Sequence, residues 1–241
     1  MLGKLRIQSR RITRPLKQLN SQIPYLRSHF EMLKVHTFTF NPFGENTYVL
    51  SSADGSSFLI DPGMSTAAEE QEIKTFIAEK DLSLKAILQT HTHIDHVLGL
   101  DFACRHFAVK AFMHPLEIPV FEANPRVASM YGVPYNHGDR PEFFDGNTLE
   151  LGGHKIEILF VPGHCPGHVA FYHPASEILI CGDTLFRESI GRTDLPGGDY
   201  PTLIKSIREV LFELPDSTTI YPGHMEPSTI GHEKGHNPFL N

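Results

Sequence analysis

Thr90-His91-Thr92-His93-Ile94-Asp95-His96 places three imidazoles and one carboxylate within the six residues from 91 to 96. The stretch follows the short apolar run Leu84 to Gln89, which reads as a buried strand, and leads into Asp95 to Phe107, which reads as a helix. In a strand-to-helix turn, His91 and His93 point the same way, while Asp95 and His96 swing to a neighbouring position as the helix begins. One turn then offers two ligands to each of two metal sites about 3.5–4 Å apart. The alternative, a run of surface histidines at a helix start, is outweighed because other candidate ligands recur at the ends of later strands.

Three later segments repeat one design: Val161-Pro162-Gly163-His164, Cys181-Gly182-Asp183-Thr184 and Tyr221-Pro222-Gly223-His224. Each is an apolar strand that ends in a Gly-containing turn presenting one ligand-type side chain. Sites in layered α/β folds gather where strands end and loops begin, so these side chains are candidates to converge with the first cluster. Upstream, Leu59-Ile60-Asp61-Pro62-Gly63 has the same form.

Around these motifs the pattern is β-rich, with strands expected at Val35 to Phe40, Asn46 to Ser51 and Ser57 to Asp61. Thr66 with Glu69 has capping-box spacing for a helix through about Lys80. A strand is expected at Val109 to Met113 and a helix at Pro115 to Asn124. Further strands are expected at Thr148 to Leu151, Lys155 to Val161, Val169 to Tyr172, Glu177 to Cys181 and Thr218 to Tyr221, with a helix at Thr202 to Leu214. Strand runs with few helices imply two sheets with helices outside them.

The 241 residues suit one substantial α/β domain; hydrophobic residues at 40% and charged residues at 20% are ordinary for a soluble protein. No stretch approaches the roughly 20 apolar residues of a membrane span. Cys104, Cys165 and Cys181 form no C-x-x-C pair, which suits a reducing compartment and a cytoplasmic location. Residues 1–31 carry seven basic residues and one acidic residue, leaving −13 on the rest of a chain whose net charge is −7. That acidic body argues against nucleic-acid binding. The basic segment reads as an extension before a globular pattern that opens at Met32. It is expected to be disordered or outside the true start, or else a surface helix or a mitochondrial transit peptide, the last of which would make the location mitochondrial.

With those motifs in place, the chain from Val35 to Asn241 resembles the metallo-β-lactamase superfamily, and within it the glyoxalase II-like (hydroxyacylglutathione hydrolase) thioesterases. The resemblance rests on His-x-His-x-Asp-His at 91–96, Pro-Gly-His-Cys-Pro-Gly-His at 162–168, Gly-Asp-Thr-Leu-Phe at 182–186, Gly-Arg-Thr-Asp-Leu at 191–195 and Tyr-Pro-Gly-His at 221–224. It implies an α/β fold, the αββα sandwich of two mixed sheets with helices on the outer faces. It also implies one metal on His91, His93 and His164, a second on Asp95, His96 and His224, and Asp183 bridging both. Two divalent ions are expected, zinc first, with iron or manganese open. Asp61 resembles the family's supporting carboxylate behind the metal ligands. His168 reads as outer to the ligands or structural. Arg192 and Asp194, in a Gly-flanked loop near the metals, either bind a substrate carboxylate or brace the loop by pairing, the brace being favoured.

The expected activity is hydrolysis of a small-molecule thioester, acyl-glutathione or a related compound, by metal-activated water, with Asp95 as the residue that accepts or holds its proton. No Gly-x-Ser-x-Gly elbow is present, and no Cys is placed with a His and an orienting acid. A thiolate leaving group needs no strong general acid. With 17 residues after His224, the chain resembles compact members without the helical domain that helps hold glutathione. Two competing readings are a persulfide dioxygenase-like enzyme with one iron and a non-catalytic metal-binding module. A β-lactamase is a weaker third.

Overall fold

The computed structural model describes residues 32–241, so the basic extension expected over 1–31 lies outside the described residues. The first sheet is built in the order β1 (Lys34–Phe40), β2 (Glu45–Ser51), β3 (Ser56–Ile60), β4 (Ser83–Leu88), β5 (Ala111–Met113) and β6 (Glu142–Phe143). The second contains β7 (Thr148–Leu151), β8 (His154–Phe160), β9 (Val169–His173), β10 (Ile178–Gly182), β13 (Thr219–Pro222) and β14 (Ser228–Thr229), in the spatial order β14-β13-β10-β9-β8-β7. A small hairpin of β11 (Leu185–Phe186) and β12 (Ser189–Ile190) stands apart. Both sheets are mixed: β3, β4, β5 and β6 pair in parallel, as do β10 and β13, and the remaining pairs are antiparallel.

Alternation along the central strands sorts their side chains into three layers, because successive residues of a strand face opposite sides. Tyr48, Leu50, Phe58, Ile60 and Leu88 of the first sheet pack against Leu151, Ile156, Val169, Phe171 and Ile180 of the second. Their neighbours Val49, Leu59 and Ile87 point outward and pack under α1 (Ala67–Glu79), α3 (Leu100–Phe107) and α4 (Ile118–Tyr131), meeting Ile73, Ala103 and Phe121. On the far side, Ala170, Leu179 and Ile220 meet Leu203 and Ile207 of α5 (Tyr200–Glu209) and Ile230 of α6 (Ile230–His236). Strands buried on both faces carry near-continuous apolar runs, as these do. The arrangement is the expected αββα sandwich.

Three helices differ from the sequence expectation. The one expected over Thr202 to Leu214 is α5, which stops at Glu209 and is followed by a 3₁₀ turn over Leu211–Glu213. The stretch from Asp95 to Phe107 is two helices, α2 (Ile94–Val97) and α3, separated at Gly99. Gly99 N–H donates to Pro62 O at 2.8 Å, and a Cβ there would press on Met64, so the chain breaks where it crosses the β3 turn. The helix expected to stop at Asn124 runs through Pro125 to Tyr131, because Phe121 and Ala128 both face the core two turns apart, and it ends on Gly132 at φ +69°. Among the described residues no helix is long and apolar enough to cross a membrane.

Candidate metal centre

The predicted donors gather at one rim of the sandwich. Asp61 follows β3, residues 91–96 follow β4, His164 follows β8, Asp183 follows β10 and His224 follows β13. Donor atoms of His91, His93 and His164 lie within 4.8 Å of one another, as do those of Asp95, His96 and His224. Asp183 stands between the two sets: Oδ1 is 3.4 Å from His96 Nε2, and Oδ2 is 3.6 Å from His164 Nε2 and 3.5 Å from His224 Nε2. Asp95 Oδ2 closes the second set at 3.1 Å from His224 Nε2.

Hydrogen bonds behind the rings fix which nitrogen faces inward. His96 Nδ1 donates to Asp61 Oδ2 at 3.1 Å. Asp61 also accepts from Thr90 N at 2.7 Å and Thr90 Oγ1 at 2.5 Å, and Thr90 Oγ1 lies 3.1 Å from His91 Nδ1. One carboxylate thus orients both His96 and His91, the second through a hydroxyl, and each Nδ1 proton points away from the centre. Likewise His164 Nδ1 donates to Arg192 O at 2.7 Å and His224 Nδ1 to Gly44 O at 3.2 Å. The inward atoms His91 Nε2, His96 Nε2 and Asp183 Oδ1 are buried without a hydrogen-bond partner. His93 Nδ1 faces the lone pair of His164 Nε2 at 2.8 Å. Converging, unpartnered imidazole and carboxylate lone pairs are the donor set that a pair of divalent cations requires. Gly223 keeps this arrangement close, since a Cβ there would run into Asp183 Oδ1 and His96.

The electrostatics match this crowding. Burial pulls His91 well below its ordinary range, and burial together with His164 takes His93 down to about 3. Burial opposes charge on His96 as well, yet Asp183 and Asp95 outweigh it and hold that ring well above its usual value. His224 is raised to about 10 against burial by its hydrogen bonds with Asp183 and Asp95. Burial would raise Asp183, but His96 and His224 hold it well below the usual carboxylate range.

Sequence reasoning missed the carboxylate that ties the ligand loops together. Glu117 is fully buried; its Oε2 accepts from Thr92 N at 2.8 Å and Thr92 Oγ1 at 3.1 Å, and its Oε1 accepts from Gly167 N at 2.7 Å. It therefore clamps the 91–96 turn to the 162–168 loop. A second missed brace comes from β2, where Asn46 N donates to Gly223 O at 2.7 Å, and Tyr48 Oη to Pro222 O at 2.5 Å, seating the His224 turn. His168 is outer to the donors: it accepts from Asp183 N at 3.0 Å and stacks on His91 with centroids 4.8 Å apart. Arg192 and Asp194 form a bidentate pair, both contacts at 2.7 Å; Arg192 lines the cleft over the donors and Asp194 does not.

Comparison with known proteins agrees with this geometry. The model of the metallo-beta-lactamase superfamily matches residues 40–224. The chain is 39% identical over 203 residues to the hydroxyacylglutathione hydrolase GloC of Haemophilus influenzae, covering 83% of this chain and 94% of that protein. The crystal structure of TTHA1623 in a di-iron-bound form matches with a TM-score of 0.77 at 36% identity, over 86% of this chain and 100% of that one. The crystal structure of the BLEG-1 B3 metallo-beta-lactamase matches with a TM-score of 0.77 at 32% identity, with the same two coverages.

Proposed function

The chain belongs to the metallo-beta-lactamase superfamily of metallo-hydrolases, and from that premise we propose that it is a thioester hydrolase with a dinuclear metal centre. The observation that carries the reading is the convergence of seven donor side chains, three of them with buried inward atoms that no hydrogen bond engages, at the floor of one open cleft that five of them line. His91, His93 and His164 would hold one ion and Asp95, His96 and His224 the other, with Asp183, which faces both sets, available to either. Two divalent ions held there would supply Lewis acidity, lowering the pKa of water towards neutrality and polarising a carbonyl.

The chain's own residues do the rest. Asp95 borders the cleft and accepts the proton of the attacking water. Asp61, Thr90, Gly44 O and Arg192 O keep the imidazoles in the tautomer that presents a lone pair inward. Cys165 and Cys181 are unsuited as nucleophiles, since burial pushes both thiols up and away from the reactive thiolate. A leaving thiolate, with a thiol pKa near 8.5, departs without a dedicated acid, which favours thioesters over substrates with poorer leaving groups. Similarity to the hydroxyacylglutathione hydrolase supports the same class. Imidazole and carboxylate donors accept zinc, iron and manganese alike, and elemental analysis of the purified protein names the metal.

The deciding assay offers metal-loaded protein acyl-glutathione thioesters, other acyl thioesters, a β-lactam and glutathione persulfide. Thioester hydrolysis is expected, abolished by chelation and restored by metal. Oxygen uptake with the persulfide and no thioester turnover would replace the hydrolase with a dioxygenase.

A further inference from the structure

The cleft above the donors has a volume of about 640 Å³, and its walls include Phe43, Val120, Val127, Tyr131, Ile190 and Leu195. Phe43 and Tyr131 meet edge to face, centroids 5.2 Å apart, and join the β1–β2 turn to the end of α4. Pockets of roughly 300–1,000 Å³ enclose whole small ligands, so this one accommodates far more than a two-carbon or three-carbon acyl group. Two of its polar side chains, Asn124 and Arg192, are already engaged. Asn124 donates its amide to Thr92 O at 2.8 Å. Outside the donor set, Arg192 is the only cation among the described residues that line it, and its guanidinium is held by Asp194.

We propose that this cleft is an acyl-chain subsite, so that the enzyme selects thioesters by an apolar acyl group and not by the carboxylates of glutathione. The inference rests on the thioesterase reading and names its substrate class. A glutathione carboxylate placed against these walls, away from the donor floor, gives up water and meets no unpaired side-chain cation among the described residues that line them, on a chain of net charge −7. An alkyl or aryl chain placed there gives up only apolar surface, and burying it is favourable at every added carbon.

Binding of non-hydrolysable analogues tests the subsite apart from the chemistry. Thioethers with a CH₂ in place of the thioester carbonyl, carrying two-carbon to six-carbon chains, are titrated calorimetrically into metal-loaded protein. One series is built on neutral N-acetylcysteamine and one on glutathione. Affinity should rise about fourfold per methylene, ~0.8 kcal/mol, on both carriers, with a negative heat-capacity change. Val127→Asp should flatten that slope, while Val127→Leu, which keeps the wall apolar and controls for folding, should retain it. A slope of zero, with the glutathione series binding about tenfold or more tighter at every length, would overturn the subsite. Turnover of the matching thioesters is measured in parallel. A binding slope without turnover keeps the subsite and removes the thioesterase; turnover with a flat slope does the reverse.

Discussion

Four of the five imidazoles at the centre owe their orientation to a hydrogen bond behind the ring, so the outer residues are as testable as the donors. Asp183 faces both donor sets, and Asp183→Asn should lower metal content at both, whereas His224→Ala should mainly empty one. Metal analysis after gel filtration reads the difference, and unchanged content in both variants would refute the assignment. Glu117 makes a sharper case. Its two oxygens accept from three donors on two ligand loops, and Glu117→Gln replaces one acceptor by an N–H donor, which opposes either Thr92 or Gly167. Metal affinity should fall about 10–100-fold, as for other groups that orient ligands, with the loss centred on the His91, His93 and His164 set. Titration against a competing chelator measures it, and an affinity within about twofold of the parent would reduce Glu117 to a packing residue. The donors were readable in the sequence because they sit in four strand-end turns, four of them packed into the 91–96 stretch. Glu117 was not, because its partners lie 25 and 50 residues away and nothing beside it in the chain signals them.

At the scale of elements, α1 connects its own start to the site. Thr66 accepts from Glu69 N at 3.3 Å, and the Glu69 carboxylate accepts from Ser65 N, Thr66 N and Asn41 N at 2.7–2.9 Å. Asn41 in turn donates to Gly63 O and Asp95 O at 2.9 and 3.0 Å, so the cap also positions a ligand turn. Thr66→Ala should cost about 1 kcal/mol in urea unfolding. Glu69 has a sign that pH can read. Burial would raise its pKa, but the hydrogen bonds from Ser65 and Asn41 outweigh it and hold the carboxylate below its ordinary value. A depressed folded-state pKa means that its stabilisation is complete above the unfolded carboxylate range and is lost as pH falls through the folded value. The stability gap between the parent and Glu69→Gln should therefore close on acidification below that range; a gap that widens in acid would contradict the cap. The capping box was visible in the sequence since its signal is four residues long. The split at Gly99 was not, because it depends on Pro62 and Met64 from another turn. The two-residue strands β6, β11, β12 and β14 are too short to show periodicity. The seven-residue helix α6 was likewise not expected, since Gly231 and Gly235 weaken its helical pattern.

Across the whole molecule, the donor cluster is a joint between the two halves of the sandwich. His91, His93, Asp95 and His96 come from the rim of the first sheet, and His164, Asp183 and His224 from the rim of the second. Other ties already cross that rim: Val169 N donates to Thr90 O at 2.9 Å, and Asn46 Nδ2 to Pro222 O at 3.1 Å. Below it lies the shared core of Tyr48, Phe58, Ile156 and Phe171. The sandwich should therefore stay folded when metal is stripped, but with less resistance to heat, because ions that bind only the folded joint stabilise it by mass action. Each site held at a hundredfold its Kd contributes about 2.7 kcal/mol. For a domain of this size that corresponds to roughly 5–10 °C in melting temperature per site. Removal also leaves the carboxylates of Asp95, Asp183, Asp61 and Glu45 crowded around the joint with only histidines to offset them, which pushes in the same direction. Scanning calorimetry of the chelated and reconstituted protein, with metal content measured on each sample, makes the comparison. A cooperative melt at lower temperature that returns on adding metal is expected. An identical melt in a sample verified to be metal-free would mean that the ions do not join the sheets, and unfolding on chelation at 25 °C would mean that the shared core cannot hold the sandwich by itself.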